Sequence, residues 1–271
     1  GVAQWIYNRK EGAMKILVTG GAGYIGSFMT KMLLDEGRDV VVFDSLERGY
    51  KDTLDKRCEF VQGDLKELSV VQNLFAKRKI DAVMHFASYI SVEESENEPS
   101  KYYNNNVVGS KNLFYSAFEA GVRNFIFSSS AAVYGNPEII PIPESHPTNP
   151  TSEYGKNKLE MEKTLQDLRI KNPDVSFAAL RYFNASGADL DASKGENHSP
   201  ETHLIPLALL SLVRNSEFNL YGTDYNTPDG TCIRDYIHVL DLCKAHLLAL
   251  SKISKEPGGY LYNVGTGLGH S

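Results

Sequence analysis

The segment KILVTGGAGYIG, residues 15–26, decides the fold of this chain. It runs from an apolar, β-branched stretch into glycines at positions 20, 23 and 26, and then into a helical pattern. A glycine turn between a strand and a helix lets the backbone approach a pyrophosphate, whose charge is met by the helix N-terminal amides. The segment therefore predicts a dinucleotide site formed by Gly20, Gly23, Tyr24, Ile25 and Gly26.

The next apolar run, Val40–Phe43, ends in Asp44. An acidic residue about 20 positions beyond the glycines binds the adenosine ribose hydroxyls and repels the 2′-phosphate of NADP. The offset therefore favours NAD as the cofactor. The alternative interpretation is a glycine-rich structural turn followed by an unrelated surface aspartate.

Farther along the chain, apolar runs alternate with helical stretches. This alternation predicts an α/β fold with a doubly wound parallel sheet covered by helices on both faces. Strands are predicted at Lys15–Thr19, Val40–Phe43, Glu59–Gln62, Asp81–Phe86, Asn124–Phe127, Ser176–Arg181 and Tyr260–Val264. Helices are predicted at Tyr24–Glu36, Leu68–Lys77, Tyr102–Ala120, Glu153–Arg169, 204–213 and Asp241–Ser254.

The periodicity weakens after Asn184, where a long polar stretch begins. We therefore predict a cofactor-binding domain over residues 14–184 and a smaller substrate-binding region over residues 185–271, with some segments returning to the first domain. Residues 1–13 are predicted to be an N-terminal appendage, with Met14 as the native start.

Charge and cysteine content limit the classes of function. The formal net charge is -6 and no basic run occurs, so we expect neither a nucleic acid nor a membrane surface as partner. No apolar run approaches the ~20 residues that span a bilayer, and the N-terminal stretch lacks the apolar core of a signal peptide. The 3 cysteines lack CxxC spacing, which indicates free thiols in a reducing compartment. We therefore expect a cytoplasmic protein.

Two further strand ends are predicted to reach the cofactor, because ligands of an open parallel sheet bind beyond the carboxyl ends of its strands. Asp64 and Leu65 follow the third strand, and Asp64 is predicted to reach the adenine amino group. Its alternative role is a helix N-cap. Phe86, Ala87 and Ser88 follow the fourth strand and are predicted to line the cofactor.

Tyr154 and Lys158 open a predicted helix four residues apart, so their side chains share one face. A free tyrosine has a pKa of ~10, but a nearby ammonium, helped by a positive nicotinamide ring, favours the phenolate. The fifth strand ends in Ser128–Ser130, which points hydroxyls at the same cleft. Alone, Tyr-x-x-x-Lys is typical of a solvated helix face. Together, these features predict a catalytic site of Ser130, Tyr154 and Lys158.

Several motifs occur in order along the chain. They are TGGAGYIG (19–26), HFAS (85–88), YYNNNVVGS (102–110), FSSSAAVYG (127–135), YGKNKLEME (154–162), LRYFNASGA (180–188) and GTCIRDYIHVLDL (230–242). The series resembles the extended short-chain dehydrogenase/reductase family, which has a Rossmann fold. Where a dehydratase of that family carries an acidic pair, this chain has Ala131 and Ala132, so the resemblance is to its UDP-sugar 4-epimerases. It implies NAD-dependent interconversion of UDP-glucose and UDP-galactose through a 4-keto intermediate, with a UDP-hexose as substrate.

The resemblance also implies roles for individual residues. Asn105, Ser128, Tyr182 and Phe183 would lie near the cofactor or the sugar. The nucleotide of the substrate would be bound by Asn184 and Arg234 at the diphosphate, and by Leu204 and a strand of Asn219, Leu220 and Tyr221 near the uracil. Arg234 suits a bidentate grip on phosphate. Its alternative role is a structural ion pair with Asp235 or Asp241.

Some positions depart from the family pattern. Ser45, predicted to contact the cofactor, stands where an Asn is common, and Ile90 stands where many members have a cofactor-contacting Lys. The family continues beyond Ser271 with a segment that gauges the 2-substituent of the sugar. The resemblance thus leaves open a UDP-uronate or UDP-N-acetylhexosamine 4-epimerase. From another class, a non-catalytic dinucleotide-binding protein is the alternative.

Two last expectations concern association and metals. The resemblance implies a homodimer that pairs the helices predicted at Tyr102–Ala120 and Glu153–Arg169. Apolar residues of the first helix could supply part of this surface, although burial within the monomer explains them nearly as well; they are Val107, Val108, Phe114 and Phe118. The seven histidines show no HExxH or i,i+4 ligand set, so no metal is expected.

Overall fold

The computed structural model describes residues 14–271, so the appendage predicted at residues 1–13 lies outside the described residues. The strands within them are β1 (Lys15–Thr19), β2 (Asp39–Asp44), β3 (Glu59–Gln62), β4 (Ala82–His85), β5 (Asn124–Ser130), β6 (Ser176–Tyr182), β7 (Asn184–Ser186), β8 (Tyr236–His238) and β9 (Gly259–Val264). Seven parallel strands form one sheet in the order β3-β2-β1-β4-β5-β6-β9, while β7 and β8 form a small second sheet. The predicted doubly wound α/β fold is confirmed.

Helices cover both faces of the main sheet. The α-helices of the described residues are α1 (Tyr24–Asp35), α2 (Leu68–Ala76), α3 (Val92–Asn97), α4 (Pro99–Tyr102), α5 (Gly109–Glu119), α6 (Glu153–Lys171), α7 (Leu204–Arg214) and α8 (Val239–Lys255). Among the described residues, no helix combines the length and the apolar character that crossing a membrane requires.

The core consists of two apolar clusters, one on each face of the sheet. Alternate residues of β1 supply both of them. Ile16 and Val18 pack with residues of α1 and α8, whereas Leu17 packs with residues of α2, α5 and α6. Because β1 is buried on both faces, its sequence is a continuous apolar run rather than an alternation.

The strand order reverses between β1 and β4, and in such a sheet the ligand crevice opens at the carboxyl ends of the strands at this point. In register, Thr19 lies beside Phe43 on one side and His85 on the other. The glycine turn, Asp44 and Phe86 therefore meet at one edge. β5 and β6 continue this edge with Ser130 opposite Tyr182.

The predicted helix Tyr102–Ala120 begins earlier than expected, at Pro99, and contains a π-helical turn at Tyr103–Val108 between α4 and α5. The Asn106 side chain holds this wide turn, because it accepts from the Tyr89 N–H at 2.8 Å and donates to the Tyr89 carbonyl at 3.0 Å. Val107 and Phe114 are fully buried within the monomer. They cannot form part of a dimer surface, so burial within the monomer explains these two apolar residues.

The long segment between β7 and β8 contains one regular element, α7. The strand implied at Asn219–Tyr221 is wrong, because these residues lie in an irregular stretch and no described strand pairs with them. An extended chain without ladder hydrogen bonds is not a strand. By contrast, α8 packs on β5 and β6, and β9 joins the sheet beside β6. The domain boundary at Asn184 stays a prediction.

Candidate active site

The glycine turn after β1 is tightly packed. Gly20 has a φ of +72°, and a Cβ there would lie 2.5 Å from the Ala87 nitrogen, so the turn requires glycine. Gly23 is the N-cap of α1 and brings no side-chain acceptor to the helix. The first-turn amides of α1 are therefore available to an anionic ligand.

Asp44 ends β2 and is bonded to this turn. Its Oδ2 accepts a hydrogen bond from the Ala22 N–H at 2.9 Å, and its Oδ1 accepts one from the Leu46 N–H at 2.8 Å. Burial raises the pKa of Asp44, and these two backbone hydrogen bonds act in the opposite direction. A carboxylate has about four acceptor sites, so both oxygens can still accept from ribose hydroxyls. The next residue, Ser45, is exposed.

The residues after β3 and β4 lie at the same edge of the sheet. Asp64 Oδ1 accepts from the Lys66 N–H at 2.8 Å, and Oδ2 lies 3.2 Å from the Lys66 ammonium. The N-cap of α2 is Glu67, so the alternative role of Asp64 as a helix cap is wrong. The rings of Phe86 and His246 lie 5.0 Å apart between centres, which holds Phe86 against α8.

The start of α6 is held by serine hydroxyls. Ser152 caps the helix by accepting from the Gly155 N–H at 3.1 Å. Ser95, in α3, accepts from the Tyr154 N–H at 3.2 Å. The first helical turn, which carries the predicted base, is thereby attached both to its own cap and to α3.

Lys158 lies one turn after Tyr154 and is 4% exposed. Its Nζ donates to the Ser128 carbonyl at 2.8 Å and lies 5.6 Å from the centre of the Tyr154 ring. Burial lowers the pKa of Lys158 to about 7, and Glu162 acts in the opposite direction. Lys158 therefore contacts the end of β5 and lies near the Tyr154 ring, as the sequence predicted.

The pKa of the Tyr154 phenol depends chiefly on burial. Burial raises it to about 12, while a hydrogen bond with Ser130 acts to lower it. Ser130 ends β5, and its Oγ also accepts from the Ala132 N–H at 3.1 Å. The expectation that the Lys158 ammonium, helped by a positive nicotinamide ring, favours the phenolate stays a prediction. Ionisation near neutral pH requires further positive charge at the site.

A buried ion pair lies behind Lys158, and no motif indicated it. The carboxylate of Glu162, one turn farther along α6, receives the Arg181 guanidinium bidentately, with Nε to Oε1 at 2.9 Å and Nη2 to Oε2 at 2.6 Å. Ser129 donates to the same Oε1 at 2.5 Å, and Arg181 donates to the Tyr134 hydroxyl at 2.8 Å. The sequence signal for Glu162 was its position four residues after Lys158, which places it on the same helix face as Tyr154 and Lys158.

Tyr182 lies beneath the site, and its hydroxyl is committed to the core. It is 2.5 Å from His246 Nε2, while His246 Nδ1 lies 2.8 Å from the Leu242 carbonyl. Because Nδ1 must donate to that carbonyl, Nε2 accepts from the phenol. Burial lowers the pKa of His246 to about 4 and so keeps the ring neutral. His246 is a second supporting residue that no motif indicated.

Pairing of β7 with β8 brings Asn184 beside Asp235, the residue that follows Arg234. The Asn184 side chain donates to the Asp235 carbonyl at 2.9 Å, beside Arg234. The alternative role of Arg234 is not observed among residues 14–271: Asp235 accepts from Thr266 and Gly267, and Asp241 pairs with Lys244.

Other predicted residues lie farther from the catalytic group or have local partners. Asn105 donates to the Asn106 side chain at 3.0 Å within the π-helical turn. Ser88 donates to the Tyr89 carbonyl, and Phe183 is partly buried. The predicted uracil contacts are exposed; they are Leu204, Asn219, Leu220 and Tyr221. Their contact with a nucleotide stays a prediction.

Comparisons with known proteins agree on one family. Residues 16–265 match the NAD dependent epimerase/dehydratase family. The chain is 46% identical over 259 residues to a UDP-glucose 4-epimerase from Lactobacillus helveticus, covering 95% of this chain and 78% of that protein. It is similar to the crystal structure of UDP-glucose 4-epimerase from Brucella ovis in complex with NAD, with a TM-score of 0.91 and 44% identity over 96% of this chain and 79% of that one. The UDP-glucose 4-epimerase from Bifidobacterium longum in complex with NAD+ and UDP gives a TM-score of 0.89 and 37% identity, covering 95% and 80%.

Proposed function

The chain belongs to the NAD dependent epimerase/dehydratase family, and from that premise we propose that it interconverts UDP-glucose and UDP-galactose at C4 with NAD as cofactor. One observation carries the proposal: the side chains of Tyr154 and Lys158 meet Ser130 and the Ser128 carbonyl at the carboxyl edge of the sheet. A protein that only binds a dinucleotide has no need of this group.

The residues at the β1 and β2 ends fit a dinucleotide. A side chain at Gly20 would fill the space against Ala87, and Asp44 stands where ribose hydroxyls need an acceptor. In this assignment Gly20, Gly23 and Gly26 accommodate the pyrophosphate, and the Asp44 carboxylate disfavours the phosphate of NADP. When bound, NAD would supply the acceptor and donor for the C4 hydride of the sugar, together with the positive charge of its oxidised ring.

The side chains of the site transfer one proton from the sugar to the protein and later return it. Tyr154 takes the proton of the C4 hydroxyl, and Ser130 hydrogen-bonds the same oxygen. Lys158, held by the Ser128 carbonyl, stabilises the phenolate, and Glu162 favours the charged form of the lysine. The 4-keto sugar then turns its other face to the site, and Tyr154 returns the proton to the C4 oxygen.

The substrate nucleotide is assigned to the β7–β8 side of the cleft. Asn184 and Arg234 bind the diphosphate, for which the planar guanidinium suits a bidentate contact. Leu204, Asn219, Leu220 and Tyr221 lie near the uracil in this proposal. The exposed guanidinium of Arg234 supports the assignment, because it is accessible to an incoming phosphate.

The proposal extends to assembly and location. A homodimer through α5 and α6 is supported by the exposure of two large apolar side chains, Val108 at the end of the π-helical turn and Tyr115 in α5. A cytoplasmic location is supported by free thiols at Cys58, Cys232 and Cys243. Light scattering that gave a monomer mass at micromolar concentration would contradict the dimer.

A cofactor-free assay tests the catalytic proposal. The purified chain should convert UDP-galactose to UDP-glucose with no added NAD, and acid extraction should release NAD rather than NADP. Tyr154→Phe should keep its bound NAD and lose at least ~100-fold in turnover. The matched control, Tyr260→Phe, removes a hydroxyl outside the site and should keep parental turnover.

The substrate panel includes UDP-glucuronate and UDP-N-acetylglucosamine. Faster conversion of either would replace the proposed sugar. Near-parental turnover in Tyr154→Phe would instead mean that another group is the base.

A further inference from the structure

Four side chains able to bind a metal converge in the loop before α7. Glu196, His198, Glu201 and His203 each offer one ligand atom, and these atoms all lie within 4.8 Å of one another. All belong to the segment GENHSPETH, residues 195–203, and none has a role in the catalytic site. No sequence motif indicated this group, because a loop rather than a helix brings the four side chains together. We call it the 196–203 cluster.

The distances within the cluster suit a small cation at its centre. His203 Nδ1 lies 2.8 Å from Glu196 Oε1 and 3.0 Å from Glu201 Oε1. His198 Nδ1 lies 3.2 Å from Glu196 Oε1 and 3.8 Å from Glu201 Oε2. A tetrahedral Zn²⁺ with bonds of about 2.0–2.1 Å separates its ligand atoms by about 3.3 Å. The four distances between the His nitrogens and the Glu oxygens run from 2.8 to 3.8 Å and so lie on both sides of this separation.

Burial and hydrogen bonding also indicate a missing partner. The side chains of Glu196 and Glu201 are 7% and 9% exposed, and two adjacent buried carboxylates repel each other unless a cation compensates them. A hydrogen bond from His203 Nδ1 to Glu201 explains the position of that ring. His198 Nδ1 is buried and, although it lies 3.2 Å from Glu196 Oε1, it makes no well-aligned hydrogen bond there. Its position beside the carboxylates is explained by a cation that binds all of them.

The cluster connects the start of α7 to the cofactor side of the molecule. His203 is the N-cap residue of α7, and the His198 ring packs edge-on against the Tyr24 ring of α1, with centres 6.4 Å apart. In the same loop, Lys194 donates to the Thr53 carbonyl at 2.6 Å. An ion in the cluster would therefore fix the loop and the first turn of α7 against α1.

We propose that Glu196, His198, Glu201 and His203 bind one Zn²⁺ ion, which has a structural role. Two imidazole nitrogens and two carboxylate oxygens are ligands that Zn²⁺ accepts, and four protein ligands close the tetrahedron, as in structural rather than catalytic zinc sites. Two carboxylates and two neutral imidazoles also balance the charge of the ion. The site is independent of the proposed epimerase chemistry.

Zinc titration of the full chain tests this proposal. The protein is stripped with a chelator and titrated with ZnCl₂ against a chromophoric competitor. The parent should bind one equivalent. Glu196→Gln and His203→Gln, each checked for a parental circular dichroism spectrum, should each weaken Zn²⁺ binding at least ~100-fold, since even residues behind the ligands contribute 10–100-fold. The control His146→Gln changes a histidine outside the cluster and should bind as the parent does.

Amide hydrogen exchange gives a second test, which does not depend on measuring the Zn²⁺ affinity. Zn²⁺ should slow amide hydrogen exchange in residues 195–206 of the parent and leave exchange in His203→Gln unchanged. Parental Zn²⁺ affinity in both ligand variants would overturn the proposal, as would a parent that binds no Zn²⁺. The cluster would then be a set of hydrogen-bonded His and Glu side chains only.

Discussion

Helices α7 and α8 are both rich in leucine, yet their surroundings are opposite. α8 buries seven side chains, among them Leu242 and His246. α7 buries none within residues 14–271, and Leu209 and Leu212 are 57% and 77% exposed. α8 packs on β5, β6 and α1, whereas the loop before α7 is joined to the cofactor side by polar contacts.

Apolar content therefore predicts a helix without predicting its burial. The sheet side of the molecule is stabilised by buried surface and a buried ion pair. The loop before α7 is held by hydrogen bonds such as that from the Tyr24 hydroxyl to the Gly187 carbonyl at 2.6 Å. Substitutions in the two regions should therefore have different costs.

The largest effect is expected at the buried ion pair on the sheet side. Arg181→Met leaves the Glu162 carboxylate buried without its guanidinium and should lower the free energy of unfolding by about 3–5 kcal/mol. Urea denaturation followed by circular dichroism measures the change. Lys252→Met, which removes the exposed pair with Glu256, should leave the free energy of unfolding nearly unchanged, because solvent screens an exposed pair. Equal losses would show that burial of the pair is unimportant.

A matched pair of leucines tests the two helices directly. Leu242→Ala in α8 creates a cavity in the core and should cost about 2–5 kcal/mol of unfolding free energy. Leu209→Ala in α7 removes an exposed side chain and should cost under about 0.5 kcal/mol. The same denaturation assay gives both values. A large loss for Leu209→Ala would mean that the face of α7 is covered in solution.

The pH dependence of stability reports the burial of Lys158. Its pKa is lowered from 10.5 to about 7, so between these values the unfolded chain holds a proton that the folded chain has released. The free energy of unfolding should then rise with pH, by up to about 1.4 kcal/mol per unit. Lys158→Met should remove this rise of the unfolding free energy with pH. Denaturation of both proteins without NAD at about pH 7 and pH 9 measures it, and parallel profiles would contradict the prediction.

The smallest effect is expected at the loop before α7. Tyr24→Phe removes the hydroxyl that donates to Gly187 and should destabilise the loop locally by about 1 kcal/mol. Hydrogen exchange should become faster in residues 187–203 while the amides of β1 keep their protection. Tyr50→Phe, at an exposed tyrosine, is the control. Faster exchange in β1 would show that the two regions unfold together.

The parallel sheet, the glycine turn with Asp44, and the pair Tyr154 and Lys158 could all be predicted from the amino-acid sequence. These features are local, because a strand, a turn or one helix face is encoded within a few neighbouring residues. For the same reason the boundaries of β1 and β3 agree with the sequence prediction.

Contacts between side chains that are distant in the sequence could not be predicted and depend on the tertiary structure. Glu162 and Arg181 are 19 residues apart, and Tyr182 and His246 are 64 apart, so no period in the sequence relates them. The tertiary structure also sets the exposure of α7 and the pKa of Tyr154, because burial depends on what packs against a residue from elsewhere in the chain. Local patterns specify the elements, whereas burial and pairing arise only when those elements pack together.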